Sequence, residues 1–76
     1  MPEYFKVLFP EQRDLFVDGI KMGQTQENIE IGKGTYTISL GLPRNYLPRW
    51  RRPTIKDTSF DAPLVLTFEK DPGGVP

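Results

Sequence analysis

Proline and glycine punctuate this sequence so densely that they decide its class before any other feature. Eight prolines and seven glycines fall within 76 residues. Proline lacks the N–H that a helix interior needs, and glycine loses the most backbone entropy on ordering. Their spacing leaves no interval for a substantial helix. The segments between them alternate with a period of two, the pattern of strands with one buried and one wet face.

Tyr4 to Phe9 sets Phe5, Val7 and Phe9 on one face, and the polar Pro10 to Asp14 (PEQRD) predicts a turn. Leu15 to Val17 is a short β-prone run closed by Asp18-Gly19, a hairpin dipeptide. Ile20 to Met22 predicts a short strand that Gly23 stops. Asn28 to Ile31 sets Ile29 and Ile31 against Asn28 and Glu30. Gly32-Lys33-Gly34 predicts a tight reversal that lets Ile31 and Tyr36 face one core. Thr35 to Leu40 alternates most cleanly, with Tyr36, Ile38 and Leu40 inward, and Leu64 to Phe68 repeats the pattern with Leu64, Leu66 and Phe68 inward. Leu47 to Lys56 is extended but irregular. Asp57 to Pro63 (DTSFDAP) predicts a loop, with Phe60 tucked into the core as a plug. The expected fold is all-β: a small antiparallel β-sandwich of six or seven short strands, one domain over residues 1–70. Residues 71–76 (DPGGVP) have almost nothing to bury and are expected to form a disordered tail or linker.

Several elements recur at a joint spacing: Val17-Asp18-Gly19, Gly23-Gln24-Thr25, Ile29 and Ile31, Gly34, Tyr36-Thr37-Ile38 and then Tyr46. From Leu15 to Tyr46 this resembles the PEGA family of small β-domains. Thr25-Gln26 stands where that family typically has Thr-Pro, and Pro48 to Phe60 has no family pattern. The resemblance implies a prealbumin-like sandwich that serves as an accessory piece of larger proteins, often at cell surfaces or in envelopes. It brings no catalytic residue to transfer.

Function is constrained mainly by what the composition lacks. The chain has no cysteine and no histidine, which removes disulfide staples, the commonest zinc ligands and the commonest general base. Ser39 and Ser59 therefore have no histidine to activate them. Asp57, Ser59 and Asp61 have the alternate spacing of an oxygen-ligand loop, without the central glycine and distal glutamate of a calcium loop. Neither an enzyme nor a cofactor or metal site is expected. The start, MPEYFKVLFP, has no basic region of a signal peptide, and no apolar run approaches the ~20 residues that span a bilayer, so no membrane insertion is expected.

Ten basic and ten acidic residues cancel to a net charge of zero, unlike a dedicated nucleic-acid module. The charges are nonetheless segregated. Arg44, Arg49, Arg51, Arg52 and Lys56 follow one another with no acid between them; Asp57, Asp61, Glu69 and Asp71 come after, with Lys70 alone against them. The segment NYLPRWRRP, residues 45–53, concentrates the chemistry. Tyr46, Arg49, Trp50, Arg51 and Arg52 are the candidate partner-binding residues, since Trp, Tyr and Arg dominate interface hot spots. Strict alternation would put Arg49 and Arg51 in water and Arg52 on the face of Trp50, with Trp50 buried or half-covered. Pro48 and Pro53 lack an N–H and mark an edge. The expected role is a non-catalytic accessory or interaction domain that contacts another protein, through side chains or a sheet edge, or another copy of itself. The alternative is a small nucleic-acid-binding β-domain that uses Arg44 to Arg52.

Overall fold

The computed structural model describes residues 2–71. The chain is all-β, with no helix among the described residues, so none there is long and apolar enough to cross a membrane. Ten short strands follow in order: β1 (Glu3–Leu8), β2 (Asp14–Val17), β3 (Ile20–Gln24), β4 (Asn28–Ile31), β5 (Gly34–Thr35), β6 (Ile38–Leu40), β7 (Tyr46–Leu47), β8 (Thr54–Ile55), β9 (Leu64–Thr67) and β10 (Glu69–Lys70). They pair into two three-stranded sheets, ordered β4-β1-β9 and β3-β2-β6, and two two-stranded sheets, β10-β7 and β5-β8.

The strand count exceeds the expected six or seven because two continuous extended segments each divide into two short strands, β5 with β6 and β9 with β10, and the irregular stretch from Tyr46 to Lys56 contributes two more, β7 and β8. Gly34 and Thr35 pair with β8, and the same register continues through the Tyr36 N–H to the Pro53 carbonyl and on to a bridge between Ile38 and Arg51, while Ile38–Leu40 also pairs with β2 along its other edge. Strand β9 pairs with β1 and, one residue later, β10 pairs with β7. Gly32-Lys33-Gly34 consequently does not close a hairpin onto β4. Ile31 and Tyr36 still both pack against the core, and the Tyr36 hydroxyl donates to the Gly32 carbonyl at 2.8 Å.

Pairing is antiparallel except between β1 and β9, which run parallel from Phe5↔Leu64 to Leu8↔Thr67. A parallel pair needs a long crossover connection, and almost the whole chain lies between these two strands. Period-two patterning carries no information about strand direction.

Alternation places the core. Phe5, Val7 and Phe9, then Leu15 and Val17, Ile29, Ile38 and Leu40, Tyr46, Ile55, Leu66 and Phe68 form a single buried cluster. Both three-stranded sheets contribute their inward faces to it. Tyr46 is held by edge-to-face contacts with Phe9 and Phe68, at 6.3 and 5.7 Å between ring centroids, a favoured aromatic geometry.

Two turns explain sequence features directly. Asp18 and Gly19 have φ of +50° and +83°, the pair of positive values a type I′ hairpin requires. Asp18 also ties this hairpin to the entry of β6. Its N–H donates to the Thr37 carbonyl and its Oδ1 accepts the Thr37 N–H, both at 2.8 Å. Gly23 does not stop β3, which continues to Gln24 across a bulge opposite Leu15 and Phe16. A Cβ at Gly23 would lie 2.6 Å from Ile29 Cδ1, so glycine here permits close packing onto the core. The turn after it is locked by Thr25, which is wholly buried. Its hydroxyl accepts the Arg13 N–H at 2.9 Å and donates to the Glu11 carbonyl at 3.0 Å.

Phe60 is not a plug. It is 62 % exposed and rests edge-on against Tyr4, with centroids 5.6 Å apart. The core is already filled by Phe5 and Phe68, both essentially inaccessible, and interiors at native density have no space for a further ring. Of the expected tail, Asp71 donates its N–H to the Asn45 carbonyl at 2.8 Å. Residues 72–76 lie outside the described residues.

Candidate functional site

The irregular stretch after β6 builds a groove of about 770 Å³. Leu40 and Tyr46 underlie it, and Phe16 of β2 joins them from the outward side of its strand, between the buried Leu15 and Val17. Leu42 and Trp50 stand at its rim, 76 % and 58 % exposed. Arg44, Arg49 and Arg52 also line it, with Thr37, Ser39 and Gly41, and no carboxylate does. The size falls within the ~300–1,000 Å³ typical of ligand clefts.

The five candidate residues divide by position. Trp50 is exposed and does not anchor the core, against the expectation of a buried or half-covered ring. Arg52 shares its side, as alternation predicts, and donates to Thr37 Oγ1 at 2.6 Å. Arg49 departs from alternation and joins Trp50 in the groove, because the chain bends at Pro48 and Arg49 and does not run as a regular strand there. Arg51 faces away. Its main chain forms an isolated antiparallel bridge with Ile38, through N–H···O bonds of 2.7 and 2.9 Å, and its guanidinium donates to the Thr67 carbonyl at 3.2 Å. It fastens the stretch to the fold and takes no part in the groove. Tyr46 is not a surface residue: it is 7 % exposed and its hydroxyl donates to the Leu40 carbonyl at 2.8 Å. It supplies the floor.

The arginines of the groove are available in different degrees. Arg44 and Arg49 are exposed, and neither side chain has a hydrogen-bond or ion-pair partner among the described residues. Three cations around an apolar floor, with no acid to neutralise them, favour an anionic ligand with an apolar portion. Ser39 also lines the groove, with no histidine in the sequence to activate it.

Sequence reasoning missed what holds the rim in place. Arg13, within the predicted polar turn, has a side chain only 10 % exposed. Its guanidinium lies 5.1 Å from the centroid of the Phe9 ring and donates to the Gly41 and Pro43 carbonyls and to Asn45 Oδ1, at 3.3, 2.8 and 3.1 Å. It is also paired with Glu11. One side chain thus clamps the loop that carries Leu42 and Arg44. A lone arginine in PEQRD gives no signal of this, since its partners are main-chain carbonyls far along the chain.

A second ordered feature lies around β1. Glu3 is buried, and its carboxylate accepts from the Thr58 N–H at 2.9 Å and the Thr58 hydroxyl at 2.7 Å. These bonds, the hydroxyl's first, hold the Glu3 carboxyl below its ordinary range. They pin the DTSFD loop onto the first strand. Among the described residues no three acidic side chains converge as a metal site would need.

No family model matches the chain, and neither the curated proteins nor the solved structures contain a match.

Proposed function

We propose that this chain is a non-catalytic interaction module, a small PEGA-like β-sandwich that contacts another protein through the arginine-rimmed groove. The observation that carries this reading is the exposed Trp50 beside Arg44, Arg49 and Arg52 over an apolar floor. The sandwich is supported by two three-stranded sheets that share one core. The absence of histidine and cysteine supports a binding role over catalysis. A protein is favoured over nucleic acid because Tyr46 is buried, which leaves Trp50 as the one aromatic of the candidate set able to stack bases. Single-strand binders present several stacking aromatics along a basic track, and the net charge here is zero.

Trp50 is the sole tryptophan, so its fluorescence reports directly on the groove. The test is titration with an acidic peptide that carries an aromatic residue, and in parallel with a single-stranded oligonucleotide, both at low salt. The peptide is expected to shift Trp50 emission, and Arg49→Glu to abolish the shift. Binding of the oligonucleotide alone, falling steeply with salt, would establish the nucleic-acid alternative instead.

A further inference from the structure

The chain carries, on another part of its surface, a feature that complements its own groove. Ser59 to Ala62 forms a tight turn closed from both sides: the Ser59 N–H donates to the Ala62 carbonyl at 3.2 Å, and the Ala62 N–H to the Ser59 carbonyl at 3.1 Å. Phe60 and Asp61 occupy its two central positions. Asn28 Nδ2 donates to the Phe60 carbonyl at 3.1 Å, and Thr58 is fixed to Glu3 and to the Tyr4 N–H. The result is a hydrogen-bonded turn that presents an exposed phenyl ring, with the exposed Asp57 and Asp61 close to it along the chain.

We propose that the Phe60 turn of one copy docks into the Trp50 groove of a second copy. This inference rests on the reading of the groove as a protein-binding site and names its occupant. Charge complementarity selects that occupant: Asp57 and Asp61, both exposed, bracket Phe60 in the same loop, while Arg44 and Arg49 line the groove without acidic neighbours in its lining. The ring meets Leu42 and Trp50, both largely exposed. Because the turn is pinned at both ends, little ordering entropy opposes docking.

A copy cannot fill its own groove. The turn packs on Tyr4, which alternates with the buried Phe5 on the outer side of β1. The groove includes Phe16, which alternates with the buried Leu15 and Val17 on the outer side of β2. The shared core lies between. Two different patches on opposite sides make the contact heterologous, so copies join head to tail.

The test is sedimentation of the chain from ~10 µM to ~1 mM at low salt, the range in which a small, partly polar contact forms. The average mass is expected to rise with concentration and to fall back as salt is added. Phe60→Ala, Asp61→Lys and Arg49→Glu, all at exposed positions, should each weaken association about tenfold or more. Mixing Trp50→Ala with Phe60→Ala should restore a one-to-one complex, since each variant retains one intact partner surface. Arg49→Glu combined with Asp61→Lys in one chain should recover association by charge reversal. A chain that stays monomeric across the range, or an association indifferent to both Phe60 and Arg49, overturns the inference. The acidic aromatic peptide separates the two readings: if it still binds a monomeric chain, only self-docking falls.

Discussion

Replacing Thr25 by valine keeps its shape and removes only its hydroxyl, in a side chain with no solvent access. That hydroxyl accepts the Arg13 N–H at 2.9 Å and Gln26 Nε2 at 3.1 Å, and donates to the Glu11 carbonyl at 3.0 Å. Gln26 and Glu11 are exposed, so water replaces most of what they lose. The Arg13 N–H is less accessible, and a buried donor left unpaired costs about 1–3 kcal/mol. Thr25→Val should therefore destabilise the chain by about 2 kcal/mol, a large share of the roughly 4–11 kcal/mol that a native domain of 76 residues has available. Thr25→Ser keeps the oxygen and loses one buried methyl, about 1 kcal/mol. Urea denaturation followed by far-UV circular dichroism measures both through the midpoint at constant slope. The corresponding fall in Tm is about 8–16 °C for valine and about half that for serine. If the valine variant proves as stable as the serine variant, the polar network does not hold this turn and the reasoning is wrong.

Three further outcomes follow from the same geometry. Gly19→Ala should cost about 1 kcal/mol through backbone strain alone, because φ is +83° and nothing lies near the added methyl, whereas Gly23→Ala should cost about 0.5–1.5 kcal/mol as the end of the Ile29 side chain shifts to make room; thermal melts of the two compare the mechanisms. Arg13→Met should lower the urea midpoint and also weaken ligand binding at the groove, although Arg13 does not line it, because the loop of Leu42 and Arg44 loses its clamp; unchanged Trp50 titrations would refute the clamp. Acid should destabilise the fold. Glu3 is depressed by its bonds from Thr58, and Glu11 by Lys70 and then Arg13. A depressed carboxyl contributes stability that is complete above its ordinary value of 4.5 and disappears as the pH falls through its folded value. Glu3→Gln should flatten part of that acid dependence in urea midpoints taken between pH 7 and pH 3.

The groove gains its character from a conflict between local and global structure. In a regular strand, Arg49 and Arg51 would share one side and Trp50 the other. The bend at Pro48 and Arg49 brings Arg49 round to Trp50, while the bridge to Ile38 leaves Arg51 pointing at Thr67. The groove is therefore richer in cations than alternation allows and poorer in exposed aromatics, since Tyr46 turns inward.

Much of the fold was legible because it rests on local rules. Proline and glycine spacing excluded a substantial helix. Alternation placed Phe5, Val7, Ile38, Leu40, Leu66 and Phe68 inward, and Asp18-Gly19 marked its turn, because side-chain direction and positive φ depend on a residue and its immediate neighbours. The charge segregation that drives the groove and the Phe60 turn was likewise written in the residue order. The tertiary structure alone decided which segments pair. It set β1 beside β9 in parallel, divided two continuous strands between different sheets, buried Tyr46, gave Arg13 its carbonyls and left Phe60 outside. Each of these depends on contacts between residues tens of positions apart and on how much volume the core has left, and a period of two along the chain reports neither.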